Sequence, residues 1–177
     1  EIVSAMRTFY RPITNSMVSE RTRLSGTAID LVSTVARELG VSFEGLLPLF
    51  LPTLLNLCGR TNKVVLTRAR ACIVMIIEST QLSSVLPYFL QSLKEKSATL
   101  RLVAAEGTLT CLNCCNPPDL EKEARAKEVE AIIRATAKDA NPDVRKASRK
   151  IFEGYKELLP DRVARCVEHN PLDSSSY

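Results

Sequence analysis

The sequence predicts an all-α solenoid of about four to five antiparallel helical hairpins, and three observations support this prediction. Apolar residues recur at spacings of three and four over long segments, as on the buried stripe of a helix. Short polar links join these segments in pairs, which makes the two helices of each pair antiparallel. Segments 46–58 and 72–77 are apolar on nearly all sides, so their helices need neighbours on more than one face.

The hairpin over 43–80 shows the pattern most clearly. Its first helix carries Phe50 and Leu54 on one stripe, and its second helix carries Cys72 and Ile76 in the same way. The polar link GRTNK, residues 59–63, joins the two helices. This hairpin is therefore expected to lie between similar hairpins on both sides.

The hairpin before it is predicted from 2 to 39. Its first helix covers 2–18, where Pro12 is expected to end or kink it because proline lacks an amide hydrogen. After the polar break at 19–23, the second helix should end at Gly40 in the left-handed conformation. The residues expected to face inward on this second helix are Leu24, Ala28, Leu31, Val32, Val35 and Leu39.

Two further hairpins are predicted after residue 80. The third has helices over 83–96 and from residue 100, and the pair Pro117 and Pro118 marks the strongest break in the chain. The fourth covers 121–159, and one more helix could start within 161–168. Residues 1–168 are thus predicted to form one domain, followed by a frayed tail at 169–177.

A basic residue stands near the start of the second helix in each hairpin. These residues are Arg21, Lys63, Arg101 and Arg145, which are separated by 42, 38 and 44 positions. A period near 40 residues of two-helix units is typical of HEAT-like repeats, in which each unit buries its faces by stacking on its neighbours.

Composition limits the possible functions. The chain of 177 residues has 45% hydrophobic and 25% charged residues, which are globular values, and a net charge of +4 suits an acidic protein partner. The absence of Trp leaves few stacking platforms for nucleic acid. No signal peptide or membrane span is predicted, so we expect a reduced, cytosolic protein without membrane contact, and a fragment of a longer chain.

The residues that could carry chemistry do not form a recognisable site. Cys111, Cys114 and Cys115 lack the second cysteine pair that a structural zinc site needs, so buried thiols are the favoured interpretation. His169, the one histidine, falls in the predicted tail, and no nucleophile and base are paired in sequence. We therefore expect neither an enzyme nor a bound metal or cofactor.

Stacking should place the four links side by side along one edge, as a ridge about 30 Å long at the usual 8–10 Å helix spacing. The residues expected there are Ser19, Glu20, Arg21 and Thr22; Asn62, Lys63 and Val64; Ala98, Thr99 and Arg101; and Asn141, Pro142, Asp143 and Arg145. These could simply be solvated helix starts. However, a cation in the first turn opposes the helix dipole, at about 0.3–1 kcal/mol each, which favours a binding surface for an acidic protein.

Segments 19–23, 36–40, 51–65, 68–80, 86–101 and 138–160 together resemble the TOG domain of the CLASP family of microtubule-associated proteins. The last segment, KDANPDVRKASRKIFEGYKELLP, is the most specific. The resemblance implies a HEAT-repeat paddle whose links contact αβ-tubulin or the microtubule lattice. It also implies roles in microtubule stabilisation and rescue, at spindles and kinetochores. Family members usually begin with a repeat that carries an exposed Trp, which this sequence lacks.

The resemblance assigns tubulin contacts by position. It implies that the first two links face β-tubulin through Arg21, Thr22, Asn62, Lys63 and Val64, and the last two face α-tubulin through Arg101 and Arg145. Two alternatives stay open: a HEAT scaffold that binds another regulatory protein, including a spindle or plus-end protein, and a nucleic-acid-binding solenoid.

Overall fold

The computed structural model describes residues 1–168, and these contain helices and turns but no strand. The predicted tail at 169–177 lies outside the described residues. The helices are α1 (Ile2–Met17), α2 (Thr22–Leu39), α3 (Leu47–Cys58), α4 (Lys63–Thr80), α5 (Leu86–Ser92), α6 (Ala98–Cys114), α7 (Pro117–Leu120), α8 (Glu123–Ala137), α9 (Pro142–Leu158) and α10 (Val163–Glu168). Short 3-10 helices cover Gly40–Leu46, Ser83–Val85 and Pro160–Arg162.

The helices form two layers of a solenoid. Within each hairpin α1 packs on α2, α3 on α4, α5 on α6 and α8 on α9. The first helices α1, α3, α5 and α8 contact one another in that order, and the second helices α2, α4, α6 and α9 do the same. The predicted fold class is confirmed.

The core lies between the two layers and is continuous along the stack. Phe43, Phe50, Phe89 and Tyr155 are its largest fully buried side chains, and they come from three different hairpins. Every hairpin contributes apolar residues to this one cluster, so no hairpin buries its stripe alone.

The first hairpin differs from its prediction in two places. Helix α1 continues past Pro12 to Met17, so of the two expected effects of this proline, an end to the helix does not occur. Leu24 and Leu31 are each 44% exposed, because α2 turns Ile29, Val32 and other residues towards α4 and leaves those two leucines on the outer side of the stack.

The connections between hairpins are more structured than the sequence predicts. Gly40 has the expected positive φ of 52°, but its ψ of −130° is not that of the left-handed helix, and a 3-10 helix follows instead of an irregular lead. Helix α5 ends at Ser92, before the predicted 96, and one helical turn, α7, starts at Pro117.

The stretch Thr22–Cys58 is long and apolar enough for a membrane span by composition. In the fold it bends at Gly40 into two helices, and half of its most apolar window is buried inside the protein. These features fit core helices.

An ion-pair network fastens the 3-10 turn Pro160–Arg162 to the last hairpin. The Arg162 guanidinium donates from Nε to Glu130 Oε1 at 3.0 Å and from Nη1 to Glu123. Tyr155 donates its hydroxyl to the same Glu130 oxygen at 2.7 Å. The hydrogen bond from Arg162, and then that from Lys127, lower the pKa of Glu123 to about 2.

The lowered pKa of Glu123 predicts acid sensitivity. Glu123→Gln should destabilise the chain at pH 7, and the difference from the parent should hold down to about pH 4.5, the ordinary glutamate pKa. Below that it should shrink, and vanish near pH 2, because the parent then loses the ionised carboxylate. Urea unfolding of both proteins from pH 7 to 2.5 measures this, with Glu121→Gln as the exposed control. A difference that is independent of pH would contradict it.

Two glycines inside helices predict opposite effects of alanine. A Cβ at Gly107 would lie 2.6 Å from Cζ of the buried Phe89 ring, whereas one at Gly154 would lie 3.5 Å from Leu112 Cδ1, an ordinary contact. Gly107→Ala should therefore cost about 1–3 kcal/mol through overpacking. Gly154→Ala should be neutral or stabilise by about 0.5–1 kcal/mol, because alanine favours the helix. Urea unfolding compares them, and equal effects would show that Phe89 does not depend on Gly107.

Candidate functional site

The four links within hairpins lie along one edge of the solenoid. They cover 18–21, 59–62, 93–97 and 138–141, and the N-termini of α2, α4, α6 and α9 follow them. We call these links, with the first turns of the helices that follow, the ridge. Because four helices begin on the ridge, the positive ends of their dipoles lie along one edge.

Direct contacts join each link to the next. Arg60 Nη1 donates to the Val18 carbonyl at 3.3 Å, which joins the first and second links. Gly59 lies against Ser97, so that a Cβ on Gly59 would be 3.7 Å from the Ser97 Cβ, which joins the second and third. Arg101 then spans to Asp139 in the fourth link. The side-by-side arrangement of links predicted from the repeat is present.

Two open grooves flank the second link. The groove of about 440 Å³ towards the first link is lined by Ser19, Glu20, Asn62 and neighbouring residues. The groove of about 480 Å³ towards the third hairpin is lined by residues of α3, α5 and the third link. Gly59 and Arg60 line both grooves. The surface of the ridge is therefore interrupted by a groove on each side of its second link.

Side-chain caps fix the backbone at three of the helix starts on the ridge. The side-chain oxygens of Asn62, Ser97 and Asn141 accept hydrogen bonds from amides of the first turns of α4, α6 and α9. Asn62, which is predicted to contact a partner, uses its carbonyl oxygen in this cap, at 3.1 Å from the Val64 amide. Helix α2 begins after Arg21 without a side-chain cap.

Arg101 clamps the third link to the fourth. Its Nε and Nη2 donate to the two carboxylate oxygens of Asp139, at 2.7 and 3.1 Å, and the side chains are only 14% and 7% exposed. The hydrogen bond from Arg101 lowers the pKa of Asp139, and the same bond raises the pKa of Arg101. The Asn141 amide also donates to Asp139, at 2.8 Å. The guanidinium of Arg101 is thus already satisfied within the fold. Its contact with tubulin stays a prediction.

Arg101 and Arg145 also close their own links. Arg101 Nη1 donates to the carbonyls of residues 95 and 96, and Arg145 Nη1 donates to those of 139 and 140, at 2.7–3.0 Å in all four bonds. Each arginine is the fourth residue of its helix, whereas Arg21 precedes the first residue and Lys63 is the first. The four cations are therefore not at equivalent positions, and for two of them carbonyl hydrogen bonds offset the unfavourable helix dipole.

The remaining predicted residues project into solvent. Arg21, Thr22, Lys63 and Val64 are exposed, as is Pro142 at the start of α9. Across the described residues, no carboxylate pairs with the side chain of Arg21 or Lys63. Arg21 and Lys63 thus carry free charge at the first two links. The last two links combine arginines that hold the backbone with the exposed lysines Lys96 and Lys138.

Two residues of the ridge were missed by sequence reasoning, Arg60 and Asp139. Arg60 lies in a quoted link, but nothing in the sequence shows that it reaches Val18. The pairing of a cap with a closing arginine had a detectable signal, because Ser97 and Asn141 each precede an arginine by four positions. Asp139 had none, because only the folded chain brings it beside Arg101.

The cysteines occupy the core, as predicted. Cys58, Cys72, Cys111, Cys115 and Cys166 are buried, and Cys114 is half-buried. Burial raises the pKa of Cys58 and Cys72 to about 12 and that of Cys111 well above its ordinary value. Within residues 1–168 no group of three or more potential ligands is arranged to hold a metal ion.

Stacked two-helix repeats with a ridge of aligned links define a HEAT-repeat solenoid of the TOG type. The chain belongs to the CLASP family, since the family profile "CLASP N terminal" matches residues 1–176. Similar proteins are Protein stu-1 of Neurospora crassa, 25% identical over 97% of this chain, and Protein peg1 of Schizosaccharomyces pombe, 27% identical over 90%. The chain spans 15% and 11% of the lengths of these relatives.

Two solved structures share the fold. The MAST/Orbit N-terminal domain matches with a TM-score of 0.71 and 14% identity, over 94% of this chain and 73% of that one. A chain from "Structural Basis of Microtubule Plus End Tracking by XMAP215, CLIP-170 and EB1" matches with a TM-score of 0.71 and 19% identity, over 95% and 76%. At these identities the likeness concerns the fold alone.

The clamp predicts a stability effect centred on Asp139. Asp139→Ala should cost about 2–3 kcal/mol, because it leaves the mostly buried Arg101 guanidinium without its carboxylate. The matched control is Asp143→Ala in the same helix start, where an exposed aspartate loses only its dipole interaction, about 0.3–1 kcal/mol. Urea unfolding measures both. Equal losses would show that Asp139 is not a clamp.

Proposed function

We propose that the ridge binds αβ-tubulin, free or in the microtubule lattice, and that the chain thereby helps a longer CLASP-type protein to regulate microtubule dynamics. The observation that carries the proposal is the ridge itself, a continuous row of contacting links with exposed cations along it. Membership of the CLASP family and the shared fold with a protein of the microtubule plus-end tracking study support it. The expected location is the cytoplasmic microtubule cytoskeleton, including the spindle.

Charge at the ridge matches an acidic partner. Arg21 and Lys63 are exposed and unpaired within the described part of the chain, and the N-termini of α2 and α4 add positive potential beside them. Such charges mainly raise the rate of encounter with a negatively charged surface. The first two links are therefore proposed as the part of the ridge that attracts tubulin.

Charge alone is too weak for stable binding. An exposed ion pair contributes about 0.2–1 kcal/mol, whereas micromolar affinity requires about 8 kcal/mol. The two grooves beside the second link, of about 440 and 480 Å³, can take up partner side chains and supply the missing shape complementarity. Val64, which is 53% exposed at the start of α4, adds an apolar contact to this surface.

The links at the other end are proposed to act through their rigidity. Arg101, Asp139 and Arg145 hold the third and fourth links in one geometry, so little conformational entropy is lost when a partner docks there. In this proposal Pro142 and the exposed edge of Arg145 contact the partner. Arg101 positions them by holding the third link against the fourth.

A catalytic role is not part of the proposal. The grooves are open, and their lining includes a single carboxylate each, Glu95 in one and Glu20 in the other, without a histidine. Among the described residues, neither groove brings together a nucleophile with a base, or two carboxylates. The lining residues instead suit a protein contact.

Charge reversal on the ridge tests the proposal. Arg21→Glu with Lys63→Glu should weaken binding to tubulin and to microtubules by about tenfold or more, from two attractive contacts turned repulsive. The thermal midpoint should change by less than about 2 °C, since neither side chain is packed. The control is Arg11→Glu with Arg37→Glu, which changes the net charge equally on exposed positions of α1 and α2.

Co-pelleting with microtubules and fluorescence anisotropy with labelled tubulin give the readout. Equal weakening by the ridge pair and the control pair would contradict a specific ridge. If the parent chain bound neither form of tubulin, but captured another regulatory protein through the same two residues, the chain would be a HEAT scaffold without direct tubulin contact.

A further inference from the structure

A second basic surface lies on α9, outside the ridge residues discussed above. Lys146, Arg149 and Lys150 are all exposed and stand on the side of the helix away from its buried residues Val144, Ala147 and Ile151. We propose that these three side chains, the α9 basic face, bind a flexible, glutamate-rich segment of a protein partner. The proposal does not depend on whether the ridge binds tubulin.

The α9 basic face differs from neighbouring helices in its lack of ion pairs. On α4, Arg68 pairs with Asp30 at 3.2 Å and Arg70 with Glu106 at 2.6 Å, and on α6 Arg101 pairs with Asp139. Among the side chains that the structure describes, none forms an ion pair with Lys146, Arg149 or Lys150. The three cations of the α9 basic face therefore keep their charge available for an external anion.

Like charges lie close together on this face. Lys146 and Lys150 are four residues apart, as are Arg145 and Arg149, and like charges at this spacing repel each other on a helix surface. Asp143 and Glu153, at three or four positions from these cations, offset part of the repulsion, although neither forms an ion pair with Lys146, Arg149 or Lys150 among the described residues. A bound polyanion would remove the repulsion that remains.

The size of the face indicates what binds it. From Lys146 to Lys150 the helix rises only about 6 Å, and beyond it Glu153 and Glu157 bring negative charge to the exposed surface. An extended peptide advances about 3.3 Å per residue, so three or four consecutive glutamates match this length. A nucleic-acid duplex would need a longer row of cations, and no exposed aromatic side chain lies on the face for stacking with single strands.

The α9 basic face lies close to the ridge. Because α9 begins on the ridge, the α9 basic face starts about one helical turn from the fourth link. A flexible acidic segment that belongs to a partner docked on the ridge could reach it without leaving that partner. Two weak contacts on one partner then act together through effective concentration.

A fluorescein-labelled decaglutamate peptide tests the proposal with the 1–177 chain. Anisotropy titrations at about 0.1 M salt, where the Debye length is about 10 Å, measure affinity. Lys146→Gln with Lys150→Gln should weaken binding about fivefold or more, given two lost charge contacts. Lys146→Arg with Lys150→Arg should retain it. The control, Arg11→Gln with Arg37→Gln, removes the same net charge and should change affinity less than twofold.

Several outcomes would overturn the proposal. One is equal weakening of decaglutamate binding by the α9 pair and the control pair, which would show that binding depends only on the net charge of the chain. Another is no binding of decaglutamate by the parent chain. A third is tighter binding of a labelled ten-nucleotide single strand that the α9 pair abolishes, which would make the partner a nucleic acid. The ridge variant, Arg21→Glu with Lys63→Glu, is run alongside, so that failure at one surface is distinguished from failure at the other.

Discussion

The need of each helical hairpin to bury two apolar faces organises the whole structure. A hairpin such as α3–α4 has apolar residues on both sides, and it can remove them from water only between neighbours. Stacking in that manner leaves one way to arrange the connections. The links within hairpins fall on one edge, and the connections between hairpins, at 40–46, 81–85 and 115–122, fall on the other. The ridge is thus a consequence of core packing before any partner is considered.

Arginine guanidinium groups then hold the links on this edge in fixed positions relative to one another. Arg60 reaches the link before it, and Arg101 reaches the link after it, so that separate turns become one connected row. Arg101 and Arg145 also bind carbonyls of their own links, which accounts for cations at helix starts where the dipole disfavours them. Positive charge on the ridge therefore has two roles. Arg60, Arg101 and Arg145 hold the links, whereas Arg21 and Lys63 are available for binding.

The sequence was sufficient for the fold class, the hairpin pairing and the edge on which the links lie, because periodicity and link length determine these directly. It was insufficient for Leu24 and Leu31. Their periodicity predicts burial, but the apolar spacing along one helix does not show which neighbouring helices are present to cover it. It was also insufficient for Arg101. A free arginine and an arginine held by Asp139 look alike in sequence, because 38 residues separate the partners and only stacking brings them together.

Amide hydrogen exchange of the chain with and without tubulin tests most directly whether the ridge is the binding surface. The account predicts slower exchange at the backbone of 18–22, 59–64, 93–101 and 138–145 on addition of tubulin, and unchanged exchange at 40–46, 81–85 and 115–122 on the opposite edge. Protection of the opposite edge, or equal protection of both edges, would contradict it.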